Sequence, residues 1–117
     1  MSYVFEVGDE TVWSPSLKVG DIYVRILKSV AEVLDRPAGL TGIASDMYEI
    51  DIDAFENLVK SMYETYFAST NTILKSMIGG VLAPSLVILE RAGRKVSADS
   101  EEERHFLDWA HGLSMAQ

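Results

Sequence analysis

Thr72-Ile73-Leu74-Lys75-Ser76-Met77-Ile78-Gly79-Gly80-Val81-Leu82-Ala83-Pro84-Ser85-Leu86-Val87-Ile88-Leu89-Glu90-Arg91 is the stretch that decides the fold. At 100° per residue, Ile73, Leu74, Met77, Ile78, Val81, Leu82, Leu86, Ile88 and Leu89 spread around most of a helical circumference. A helix that is apolar on most sides is buried on most sides. This segment is therefore expected at the centre, with the other elements around it. Pro84 lacks the N–H that an interior helical position donates, so a kink or a division into two helices is expected there. Gly93 supplies an end.

Working outward, three further segments have one apolar face each. From about Ser16 to Asp35, Val19, Ile22, Tyr23, Ile26, Leu27, Val30, Val33 and Leu34 share an arc, with Lys18, Asp21, Arg25, Lys28, Glu32 and Asp35 opposite. Arg36-Pro37 ends this helix, because the residue before proline resists helical geometry. A second helix is expected from about Ala54 to Ala68, with Phe55, Leu58, Val59, Met62, Tyr63 and Tyr66 facing one way. Asp51 or Asp53 can cap it. A fourth follows Ser100, which with Glu103 has the spacing of a capping box, and turns Phe106, Trp109, Ala110 and Leu113 inward. The β-prone runs Tyr3–Val7 and Thr11–Trp13 flank the turn residues Gly8-Asp9-Glu10, and Met47–Ile50 is a third short run. Residues 38–46 read as loop. The fold class is α+β and mostly α. It is a bundle of about four helices with an N-terminal hairpin or three-stranded sheet, in a single domain spanning 1–117.

The composition excludes several functions. A chain of 117 residues without cysteine has no disulfide, no thiol chemistry and no thiolate metal site, which favours a reducing cytoplasm. A net charge of −8 has the wrong sign for a phosphate-binding surface, so nucleic acid is not an expected partner. The longest uncharged stretch, Ser76 to Leu89, has 14 residues, short of the ~20 that span a bilayer, so no membrane association is expected.

Four clusters carry chemistry that needs weighing. His105 and His111 would lie about 9 Å apart along a helix, too far to share one ion, and read as surface polar residues. Asp46, Glu49, Asp51 and Asp53 lack the glycine and closing glutamate of a calcium loop, so strand edge and helix cap explain them. Trp13, Tyr23, Tyr48, Tyr63, Tyr66, Phe67 and Trp109 could line a pocket. Most fall on core faces, so packing explains them first, and a buried tyrosine hydroxyl needs a partner. The fourth cluster is the most distinctive. Thr72, Ser76, Gly79 and Ala83 form a seam of small residues, with Gly80 and Pro84 beside it. Interior glycine costs ~1 kcal/mol against alanine, so the pair calls for a reason. Close packing within the domain, a dimer seam, a ligand groove and a simple break in the helix all supply one. No phosphate loop, nucleophile elbow or zinc-helix motif is present, and no cofactor or metal is expected.

Phe5-Glu6-Val7-Gly8-Asp9, Trp13-Ser14-Pro15-Ser16-Leu17, Ile50-Asp51 with Phe55, and Glu90-Arg91-Ala92-Gly93 together resemble a family of short uncharacterised actinobacterial proteins. The resemblance implies a bacterial cytoplasmic setting and a structural junction at Trp13–Ser16, and transfers no functional residue.

Two functions remain. The first is a non-catalytic protein-interaction or accessory protein, adaptor-like or immunity-like, whose partner is another protein or a second copy of itself. The alternative is a small-molecule binder or helper enzyme of a biosynthetic pathway, with a pocket beside the third helix. The candidate seam or pocket for either comprises Tyr63, Tyr66, Ser76, Gly79, Gly80, Ala83 and Pro84.

Overall fold

Gly8 takes φ 61°, a region open to glycine at no steric cost, and so closes a two-residue turn between β1 (Val4–Val7) and β2 (Glu10–Trp13). The computed structural model describes residues 2–116. Its further elements are α1 (Leu17–Val33), β3 (Leu40–Ala44), β4 (Met47–Ile50), α2 (Ile52–Ala68), α3 (Thr72–Arg91) and α4 (Glu101–His111). The class is α+β with four helices, as expected. The sheet is larger than expected. Its four strands run in the order β2-β1-β4-β3, antiparallel except for a central parallel β1–β4 pair. The missed strand, β3, is an exposed edge in which only Leu40 is half-buried, and Ile43 faces water. A strand that buries so little has no alternation to display.

The helix boundaries follow from capping chemistry. Ser16 accepts the Val19 N–H at α1, Asp51 that of Ala54 at α2, and Asn71 those of Ile73 and Leu74 at α3. At α4, Ser100 accepts from Glu103, whose carboxylate receives the Ser100 hydroxyl in return. Gly93 follows α3 at φ 89°, where the Arg94 N–H reaches back to the Leu89 carbonyl. Asp35 plays the same part after α1 at φ 55°.

Pro84 neither divides nor interrupts α3, which runs unbroken for 20 residues. It forfeits the bond that residue 84 would donate to the Gly80 carbonyl, at a cost of ~3 kcal/mol. Burial of Val81, Leu82, Leu86, Ile88 and Leu89 around it outweighs that loss. By length and mean hydropathy (1.8) α3 could cross a membrane, but 56% of that window is enclosed by the rest of the fold.

Two expected core faces are only partly buried. Apart from Gly80, α3 is largely enclosed from Ile78 to Leu89, whereas Ile73 and Met77 in its first turns are each 67% exposed. The covered side there carries Lys75, held between the Tyr66 ring and Glu102, and Ile73 and Met77 point away from it. On α1 the buried residues are Gly20, Tyr23, Val24, Leu27 and Ala31. Val19, Ile22, Ile26 and Val33 are exposed. The helix is rotated about its axis relative to the expected arc. Trp109 on α4, expected inside, is exposed as well.

Two contacts set that rotation. The Tyr23 hydroxyl lies 2.6 Å from Ser85 Oγ in the interior, and Ser85 donates to the Val81 carbonyl at 2.7 Å. Gly20 lies flat against Tyr3, whose ring stacks with Phe5 and Tyr48. A Cβ on Gly20 would stand 2.4 Å from Tyr3 Cγ and 2.6 Å from its Cβ, the root of the side chain, which cannot swing aside. Gly20→Ala is therefore expected to destabilise by about 1–3 kcal/mol despite the better helix former. Urea denaturation of the two proteins checks this.

Candidate functional site

The sequence-derived candidates separate into three places. Tyr63, on α2, donates its hydroxyl to Glu103 Oε1 at 2.6 Å. It lines a cavity of about 270 Å³ with Lys60, Leu86, Lys95 and Ser97. Tyr66, one turn on, packs its ring against Gly79 and Phe106 and lies under Lys75 Nζ, 4.3 Å from the ring centre. Gly79 and Ala83 are thus buried within the fold. Ser76, Gly80 and Pro84 lie on the adjoining flank of α3, along a groove between α3 and α1. The small-residue seam therefore straddles the boundary between two adjoining surfaces. Gly79 and Ala83 serve internal close packing, and Ser76 and Gly80 open outward.

The groove is the more extensive feature. Three hollows of about 200, 640 and 290 Å³ adjoin along it. The first two share Ile26, Gly80 and Val81, and the last two share Ser29, Val30 and Met77. Trp13 and Pro84 close one end, and Val33 and Leu74 stand at the other. The only charged side chain along its walls, among the described residues, is Arg25, which pairs with Asp21 at 3.2 Å. None of the 18 carboxylate side chains of the sequence lines it. Seven large apolar side chains on and beside the groove face water, four from α1 and three from α3, with Val33 reaching 83% exposure.

Residues 1–117 match a family model described as a family of unknown function (DUF6086). The chain belongs to that family. No curated protein and no solved structure matches it. The family description states no activity, so the site rests on this chain's own geometry.

The α1 half of this face was not among the sequence-derived candidates. A signal for it existed. The apolar residues of α1, with Val24 and Ala31 included, cover about 200° of its circumference, twice the ~100° that a helix lying on a core needs. The surplus marks a second contact surface. Among the described residues, no three of His, Asp and Glu gather as a metal site. His111 instead lies 2.6 Å from Glu90, and His105 lies 3.4 Å from Glu101.

Two expectations follow from these environments. Gly80 has open space where a Cβ would stand, whereas a Cβ on Gly79 would meet Tyr66 at 3.1 Å. Gly80→Ala should stabilise by about 1 kcal/mol through helix propensity. Gly79→Leu should destabilise by about 1–3 kcal/mol through overpacking. Thermal melts of the pair distinguish the two sides of the seam.

Burial, and then the bond to Glu103, raise the Tyr63 hydroxyl above its ordinary range. In return the bond from Tyr63, with help from the Asp99 amide and Ser100, holds Glu103 below 4.5. A carboxylate depressed in the folded state lends stability that is present above its unfolded pKa and is lost as pH falls through the folded value. Tyr63→Phe should therefore flatten the loss of stability below about pH 4.5, read as the pH dependence of the urea midpoint.

Proposed function

We propose that the chain is a non-catalytic interaction protein, adaptor-like or immunity-like in its action, that docks through the apolar face of α1 and α3. The observation that carries this reading is the exposure of seven large aliphatic and thioether side chains on α1 and α3, six of which wall the adjoining hollows of the groove. Together they leave on the order of 700 Å² in water, more than the ~300–600 Å² of the largest apolar patch on a typical monomer. Scattered exposed residues need no explanation, but a stripe with a groove along it does. The rest of the surface is dominated by carboxylates, which give the chain its net −8 and keep it soluble while the face is uncovered. The absence of cysteine and the resemblance noted above support a bacterial cytoplasmic setting.

The small-molecule alternative has the cavity beside Tyr63 in its favour, with Lys60 and Lys95 at its walls. Its volume of about 270 Å³ falls below the ~300–1,000 Å³ of ordinary ligand sites. The hydroxyl that would orient a ligand is already given to Glu103. The interaction reading ranks first.

A photoreactive phenylalanine analogue at Met77 tests it in the cells that make the protein. Irradiation is expected to yield a discrete cross-linked species, and the same analogue at Ile43, an exposed residue on the β3 edge, should give none. Equal, diffuse labelling from both positions would remove the reading.

A further inference from the structure

We propose that the occupant of this face is a second copy of the same chain, with α1 and α3 of each copy meeting across a two-fold axis to form a four-helix interface. The inference rests on the interaction reading and names its partner. Three observations fit a second copy.

The first is shape. The face carries both halves of a helix contact. Ile22, Ile26 and Val33 stand exposed on α1 and form its wall of the groove that runs toward α3. An isologous interface requires one patch that complements itself, and an exposed helix wall beside a groove offers both parts. Ser76 and Gly80 on the α3 wall leave room for the approaching helix, since nothing lies within 4 Å of the position a Gly80 Cβ would take. The second is area. The exposed apolar surface, on the order of 700 Å², is close to the ~800 Å² that each partner contributes to a standard interface. The third is charge. Two copies with net charge −8 repel across almost any face, and like charges set opposite each other are costly. This groove carries no carboxylate, and its one cation is already paired with Asp21, so copies meeting here set no carboxylates directly opposite each other.

Sedimentation equilibrium of the purified full chain, from about 1 to 100 μM, tests the proposal, with the upper limit set by the affinity of weak specific dimers. The wild-type protein is expected to be a dimer. Ile26→Glu and Met77→Glu place a carboxylate on exposed positions of the face. Each should leave the monomer folded, read as an unchanged far-ultraviolet circular dichroism spectrum, while lowering the melting temperature only where the wild type is dimeric. Together they should raise the dimer dissociation constant on the order of 100-fold or more. Val33→Glu, at the most exposed position of the stripe, serves if either variant folds poorly. A wild-type chain that stays monomeric at 100 μM overturns the proposal. So does a dimer that none of the three substitutions weakens, because its interface then lies elsewhere. The Met77 cross-link separates this failure from that of the wider reading. A monomer that cross-links to a different protein loses the dimer and keeps the docking face, whereas a monomer with no cross-link loses both.

Discussion

Deep between α1 and α3, the Tyr23 hydroxyl donates to Ser85, whose own proton goes to the Val81 carbonyl. Neither side chain has an aqueous alternative, and an orphaned buried hydroxyl costs about 1–3 kcal/mol. The bond therefore acts more on geometry than on net stability. It holds α1 with Tyr23 turned toward the centre of α3, and everything about 60–100° further round the helix turns outward with it. Burial also pushes the Tyr23 hydroxyl well above its ordinary range, so the link is a neutral donor at neutral pH. The aromatic group formed by Phe5, Trp13 and Tyr23, with edge-on contacts at 5.1 and 5.7 Å, braces the same orientation from the sheet side.

A second aromatic group, Tyr63, Tyr66, Phe67 and Phe106, does for α2 and α4 what the first does for α1 and the sheet. α3 passes between the two groups. Its later turns meet neighbours on nearly every side, while its first turns are covered only where Lys75, Gly79 and Tyr66 lie. The apolar face that remains uncovered is the direct result of these two aromatic anchors holding α1, α2 and α4 where they are.

Much of the architecture was legible in the sequence because capping and periodicity are local. The spans of α2, α3 and α4, and their caps at Asp51 and Ser100, follow from chemistry within four residues. What escaped has a physical reason in each case. β3 pairs along one edge and buries little, so it shows no alternation. Pro84 is a strong local breaker overruled by burial of its neighbours. The rotation of α1 depends on Tyr23 meeting a serine 62 residues away, and no pattern within α1 says which part of a 200° apolar arc will find the core. For the site, the small residues of α3 drew attention correctly to that helix. Whether each faced in or out was decided by Tyr66 and α1, beyond the reach of spacing alone.

The parallel pairing of β1 with β4 bears on how the chain assembles. Val4 lies beside Met47, 43 residues later, with a hairpin strand, a helix and the edge strand between them. α2 and α3, by contrast, are joined by three residues and meet as soon as both are helical. Closing the long loop costs chain entropy before any contact repays it, so the helical hairpin is expected to form early and the sheet to zip last. Substitutions within the sheet should then hasten unfolding while leaving the refolding rate almost untouched, the reverse of substitutions between α2 and α3. In stopped-flow experiments the two groups would move opposite arms of the chevron. Strands β1 and β2, which precede the helices in the chain, would be the last to find their place.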